Sequence, residues 1–110
     1  MTRVYIASPY WSDDPQIRSN NVARQITTAN MLINTGFAPF WPLASYYLEQ
    51  DFHRPEFIWA KLSIEWIAAC DILLRLPGKS PGAEHEVVIA QSLHIPVFFD
   101  LNTLIREVKP

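Results

Sequence analysis

The residues best suited to chemistry lie at 78–86, Gly-Lys-Ser-Pro-Gly-Ala-Glu-His-Glu. Ser80 is a good helix N-cap and Pro81 suits a first helical position. Gly82 removes a side chain where the N–H groups of a helix start point outward, so the turn can receive an anion or a sugar hydroxyl. In the helix expected to follow, Ala83, Val87 and Ala90 form an apolar stripe, and Glu86 falls beside it, three residues after Ala83 and four before Ala90. A carboxylate is therefore expected on the inward face. The spacing alone leaves open whether it only complements the helix dipole, the commoner case, or serves a site.

Other chemical motifs fail on spacing. A phosphate-binding P-loop ending at Gly78-Lys79-Ser80 needs glycine at 73, which is Leu73. A zinc-protease helix starting at His85-Glu86 needs a second histidine at 89, which is Ile89. The glycine-rich dinucleotide fingerprint is absent, as is the glycine-flanked elbow of a nucleophilic serine. His53, His85 and His94 have no ligand spacing, and Cys70 stands alone. Neither a metal nor a cofactor is expected.

The elements that must position residues 78–86 follow from periodicity. Short apolar runs at 3–8, 37–41, 71–76 and 96–99 read as buried strands. Between them lie helical patterns at 16–35, with Val22, Ile26, Ala29 and Ile33 as its stripe and Gly36 as its stop, at 57–70, and from 81 to about His94. The 57–70 helix places Trp59, Leu62, Ser63, Trp66 and Cys70 on one face. A short helix at 43–48, a loop at 51–55 and a terminal helix at 101–108 complete the reading. Alternating strands and helices imply βαβ units. The expected fold is α/β, a single doubly wound flavodoxin- or Rossmann-like domain over 1–110 with a parallel sheet of four to five strands. Ligands of such sheets bind beyond the carboxyl ends of the strands, where Ser8, Pro9 and Tyr10 meet Ser80, Gly82 and Glu86.

Composition narrows the partners. The chain has 110 residues, 49% of them hydrophobic, enough for one core. A net charge of −2 supplies no field for a nucleic-acid duplex, which leaves small ligands. No signal peptide and no bilayer-length apolar run are present, and one cysteine suits a reducing compartment, so a cytoplasmic protein without a membrane partner is expected.

Several stretches together resemble the nucleoside 2-deoxyribosyltransferase-like superfamily. They are Tyr5-Ile6-Ala7-Ser8-Pro9-Tyr10, the helix ending at Gly36 before Phe37-Ala38-Pro39-Phe40-Trp41-Pro42, Cys70-Asp71-Ile72-Leu73-Leu74, and Ser80-Pro81-Gly82-Ala83-Glu84-His85-Glu86. The resemblance covers nearly the whole chain. It is strongest to small bacterial and phage members and extends to the 2'-deoxynucleoside 5'-phosphate N-hydrolases. It implies cleavage of the N-glycosidic bond of a nucleoside or nucleoside 5'-monophosphate, by hydrolysis or deoxyribosyl transfer, and a homodimer or higher homo-oligomer.

The resemblance also implies roles. Glu86 is the nucleophile that attacks the anomeric carbon, and Tyr5 hydrogen-bonds it. Ser80 replaces the acidic residue of true transferases that contacts the sugar 5'-hydroxyl, and a serine tolerates a 5'-phosphate. Ser8, the Gly82 backbone and Arg18 are then expected to hold that phosphate, with Tyr10, Trp11 or Trp41 stacking on the base. One position departs from the pattern: Ser63 stands where the family carries an aspartate assisting base protonation or binding. A serine is no general acid, whose loss costs roughly 10²–10⁴ in rate. Two alternatives therefore stand beside the enzyme: a non-catalytic nucleotide-binding or sensor module, and an interaction protein that keeps the fold.

Overall fold

The computed structural model describes Met1–Pro110. Four strands, β1 (Arg3–Ala7), β2 (Ala38–Phe40), β3 (Ile72–Arg75) and β4 (Val97–Phe98), form one all-parallel sheet in the order β2-β1-β3-β4. Five α-helices connect and cover them: α1 (Pro15–Asn34), α2 (Ser45–Asp51), α3 (Glu56–Ala68), α4 (Pro81–Ser92) and α5 (Leu101–Glu107), with a 3₁₀ turn at Pro42–Ala44. This is the doubly wound, flavodoxin-like arrangement expected, with four strands. No helix is long and apolar enough to cross a membrane.

The central strands are buried on both faces, which is why β1 and β3 read as unbroken apolar runs. Strand alternation then sorts the core. Val4, Ile6, Ile72 and Leu74 pack with Ala29, Leu32 and Leu104 from α1 and α5. Tyr5, Ala7 and Leu73 face the other way, onto Ile67 of α3 and Ala83, Val87 and Ala90 of α4. Tyr5 thus points toward α4 because it is one residue out of phase with Val4.

Helix starts follow their caps. Asp14 Oδ1 accepts from Gln16 N at 2.9 Å before α1, Ser80 Oγ from Ala83 N at 3.1 Å before α4, and Asp100 Oδ2 from Thr103 N at 2.9 Å before α5. Gly36, at φ +94°, stops α1.

Two expectations need correction. The buried stripe of α1 is Gln25, Thr28, Ala29 and Leu32, whereas Ile26 and Ile33 are each 53% exposed. Isoleucines occur around much of this helix, and the side carrying Ala29 and Leu32 is the one that joins Val4 and Ile6 in the core. The segment after β2 is a 3₁₀ turn leading into a helix that extends to Asp51, so the loop begins one residue later than expected.

The loop after β3 depends on Gly78. Its φ is +119°, and an added Cβ would lie 2.9 Å from Pro9 Cγ, so both backbone and space exclude a side chain. Gly78→Ala is expected to destabilise the fold by about 1–3 kcal/mol in urea denaturation. Unchanged stability would show that the Pro9 contact relaxes freely.

Candidate functional site

Sheet order reverses at β1 and β3, and the residues leaving their carboxyl ends border a cleft. Strand alternation brings the Tyr5 hydroxyl under α4, where it donates to Glu86 Oε2. Tyr5 is fully buried. Glu86 is not the first-turn acid of α4. That position belongs to Glu84, which pairs at 2.7 Å with Arg75. The dipole-complementing role therefore falls to Glu84, and Glu86 faces the phenol.

Burial pushes the Glu86 carboxyl up to about 7, against the lowering effects of the Tyr5 hydrogen bond and the Arg75 charge. Burial likewise raises the Tyr5 phenol, and the neighbouring Glu86 charge raises it further, so Tyr5 stays neutral and acts as a donor. The pair is a carboxylate poised near neutrality against a phenol that does not ionise. Such a carboxylate can act as a nucleophile or exchange protons near neutral pH.

Two chambers meet at Glu86. One, of about 290 Å³, is lined by Tyr5, Ser63, Trp59, Trp66 and His85 among others; the second, of about 360 Å³, by Tyr10, Trp11, Lys79 and Ser80. Ser8, Leu43, Gly82 and Glu86 border both. A Cβ on Gly82 would meet nothing within 4 Å, so this glycine keeps space open rather than relieving a clash. Tyr5 stacks on Phe40 at 5.8 Å, and Phe40 meets Trp66 in a tilted contact at 5.0 Å, behind the first chamber.

The structure therefore brings together Tyr5, Ser8, Ser63, Gly82 and Glu86, with Tyr10 and Ser80 at the second chamber. Ser63 donates to the Trp59 carbonyl at 3.0 Å, which occupies its hydroxyl hydrogen. Pro9 is buried against Gly78 and shapes the loop from behind. Arg18 borders neither chamber. Its Nη1 donates to Ser12 O at 2.6 Å and its guanidinium lies 4.8 Å over Trp11, beside a separate cleft with Tyr10 and Tyr46. Trp41 lines another, apolar groove with Leu48 and Leu62.

Several residues at the site escape the sequence reading. Glu56 lines the first chamber and carries no motif, and Lys79 and His85, inside the 78–86 stretch, line the chambers although the sequence assigns them no role. Arg75, only 6% exposed, donates from Nη1 to Leu76 O and from Nη2 to Gly78 O at 2.8 Å, which holds the loop that presents Ser80. An arginine ending an apolar strand was the available signal. Gln25, on the α1 face that the isoleucines obscure, contacts Ser8.

No protein-family model matches the sequence, and no curated protein matches it. Among solved structures, the chain is similar to a conserved protein from Enterococcus faecalis V583, with a TM-score of 0.68 and 18% identity over 88% of this chain, which spans 61% of that one. It is also similar to the 2-deoxyribosyltransferase of Bacillus psychrosaccharolyticus, with a TM-score of 0.63, 19% identity and 99% and 98% of the two chains covered. A third is the Clostridium botulinum CMP N-glycosidase, with a TM-score of 0.61, 18% identity and 98% and 83% covered. The chain thus has a nucleoside 2-deoxyribosyltransferase-like fold.

The Glu86 carboxyl has a testable signature in stability. Its folded pKa lies above the unfolded value, so the contribution of the protonated group is fully present below about 4.5 and is lost as pH rises through about 7. Glu86→Gln, which cannot ionise, is expected to gain about 2–3 kcal/mol relative to the parent between pH 5 and pH 8. Parallel urea-denaturation profiles for the two proteins would show that the carboxyl is not desolvated.

Proposed function

We propose that this protein cleaves the N-glycosidic bond of a nucleoside 5'-monophosphate, with Glu86 as the nucleophile. The observation that carries this reading is the hydrogen bond from buried Tyr5 to the Glu86 carboxylate, made where two chambers meet. A nucleotide divides naturally at its anomeric carbon, with base on one side and sugar phosphate on the other. The Trp59 and Trp66 chamber suits the base and the Ser80 and Lys79 chamber the phosphate.

In the proposed reaction a Glu86 oxygen bonds to the anomeric carbon as the carbon–nitrogen bond breaks. The bonding pair leaves with the base, which takes up a proton, and the sugar remains as a glycosyl ester. Water, or the nitrogen of a second base, then displaces Glu86 and restores the carboxylate. Tyr5 holds the attacking carboxylate in place and moderates the cost of its burial. Ser63 is an alcohol already bonded to Trp59 O, so it does not supply the proton. His85 and Glu56, which line the base chamber, are the side chains placed to do so.

A second reading rests on that same serine: without an acid at position 63, the protein binds nucleotides and leaves them intact. One assay separates the two. The protein is incubated with ribo- and deoxyribonucleoside 5'-monophosphates, released base is followed by chromatography, and thermal stability is recorded in parallel. Base release that Glu86→Ala abolishes is expected, with kcat/KM rising with pH and levelling above about 7 as the free carboxyl ionises. Thermal stabilisation without base release would replace the enzyme with the binding module. Neither effect across the panel would reject both.

A further inference from the structure

Gln25 lies in the middle of α1 and is 1% exposed, yet its amide is fully engaged. Leu43 N donates to its Oε1 at 2.9 Å, while its Nε2 donates to Ile6 O at 3.1 Å and to Ser8 Oγ at 2.8 Å. The amide has only one possible orientation. A backbone N–H can only donate and a backbone carbonyl can only accept, so the oxygen must face Leu43 and the nitrogen must face β1.

The consequence falls on Ser8. Its oxygen receives a hydrogen from Gln25, so its own hydrogen must point elsewhere, and no acceptor of the protein takes it. Ser8 is 7% exposed and borders both chambers. That hydrogen is left to the chambers, where a ligand oxygen or solvent can accept it.

The groups around it share the same polarity. In the second chamber Ser80 Oγ also accepts, from Ala83 N, which leaves its hydrogen free, and Gly82 N–H belongs to the unpaired first turn of α4. Lys79 adds an ammonium, and the one carboxylate bordering this chamber is Glu86. A cluster of donors matches a group that only accepts.

We infer that Gln25 is a positioning residue that holds Ser8 as an obligate hydrogen-bond donor to the phosphoryl group of a sugar 5-phosphate. The inference rests on the nucleotide reading of the site. It adds a residue of α1, at the edge of the first chamber, that selects phosphorylated over unphosphorylated sugars through Ser8. In Gln25→Met the amide is gone, Ile6 O loses its donor, and the Ser8 hydroxyl can turn to satisfy that carbonyl instead of the ligand.

The test uses 2-deoxyribose 5-phosphate and 2-deoxyribose as probes, titrated by NMR into the parent protein, Gln25→Met, Ser8→Ala and the double variant. Gln25→Glu, which keeps the Leu43 bond but draws the Ser8 hydrogen to a carboxylate, serves if the methionine variant does not fold. Gln25→Met is expected to weaken the sugar phosphate roughly tenfold or more, the size of a lost hydrogen bond to a charged group, and to shift deoxyribose less than about twofold. Ser8→Ala should show the same selective loss, and the double variant no further loss. Equal losses for both probes, or additive losses in the double variant, would reduce Gln25 to a structural role and overturn the inference. If the parent releases base from nucleosides yet binds both probes equally, the inference fails and glycosidic cleavage stands. If it binds neither probe and releases no base, both fall.

Discussion

A carboxylate and a phenol share a part-buried hydrogen bond between β1 and α4, and most of the nearby structure is arranged to permit it. Burying Glu86 raises its pKa to about 7, so at neutral pH the group is divided between its two forms. Tyr5 supplies a donor that cannot compete for the charge, because its own ionisation is suppressed by the same burial. The rest of the local architecture serves this contact. Strand phase turns Tyr5 toward α4, the Ser80 cap sets where α4 begins, and Gly78 lets the loop pass Pro9 to reach that start.

The same end of the sheet holds three of the chain's four buried polar side chains, Ser8, Gln25 and Arg75. Placing such groups inside a small domain costs stability unless each finds partners. Gln25 is satisfied completely, by two carbonyl-end groups of β1 and by the 3₁₀ turn. Arg75 bonds two loop carbonyls and the 68%-exposed Glu84 but keeps one buried nitrogen unpaired. Gln25 thus joins the end of β1 to the turn after β2, and Arg75 ties the loop after β3 to the start of α4.

The two core clusters are less specialised. Apolar residues from α1 and α5 close one face and those from α3 and α4 the other. The face bearing α3 and α4 also carries the site, because Tyr5, Ala7 and Leu73 share its phase. A one-residue slip of β1 would exchange the faces and remove the phenol from Glu86 altogether. Strand register is therefore as much a condition of the site as the identity of its residues.

Local physics was enough for much of this. Apolar runs identified the strands, Ser80, Pro81 and Gly36 marked helix ends, and the stripe through Ala83 and Val87 put Glu86 on an inward face. These signals act over a few residues, so they survive without knowledge of the fold. Where a helix is apolar on several sides, as α1 is, periodicity cannot choose the buried face. The stripe through Ile26 and Ile33 concealed Gln25 for that reason. Arg18 begins the correct helix, yet helical rotation and the Ser12 carbonyl take it to another cleft. That Glu84 rather than Glu86 answers Arg75, that Tyr5 reaches Glu86, and that Ser8 must donate are facts about distances between distant segments. Only the tertiary structure decided them, because each depends on how the sheet and its helices are brought into register.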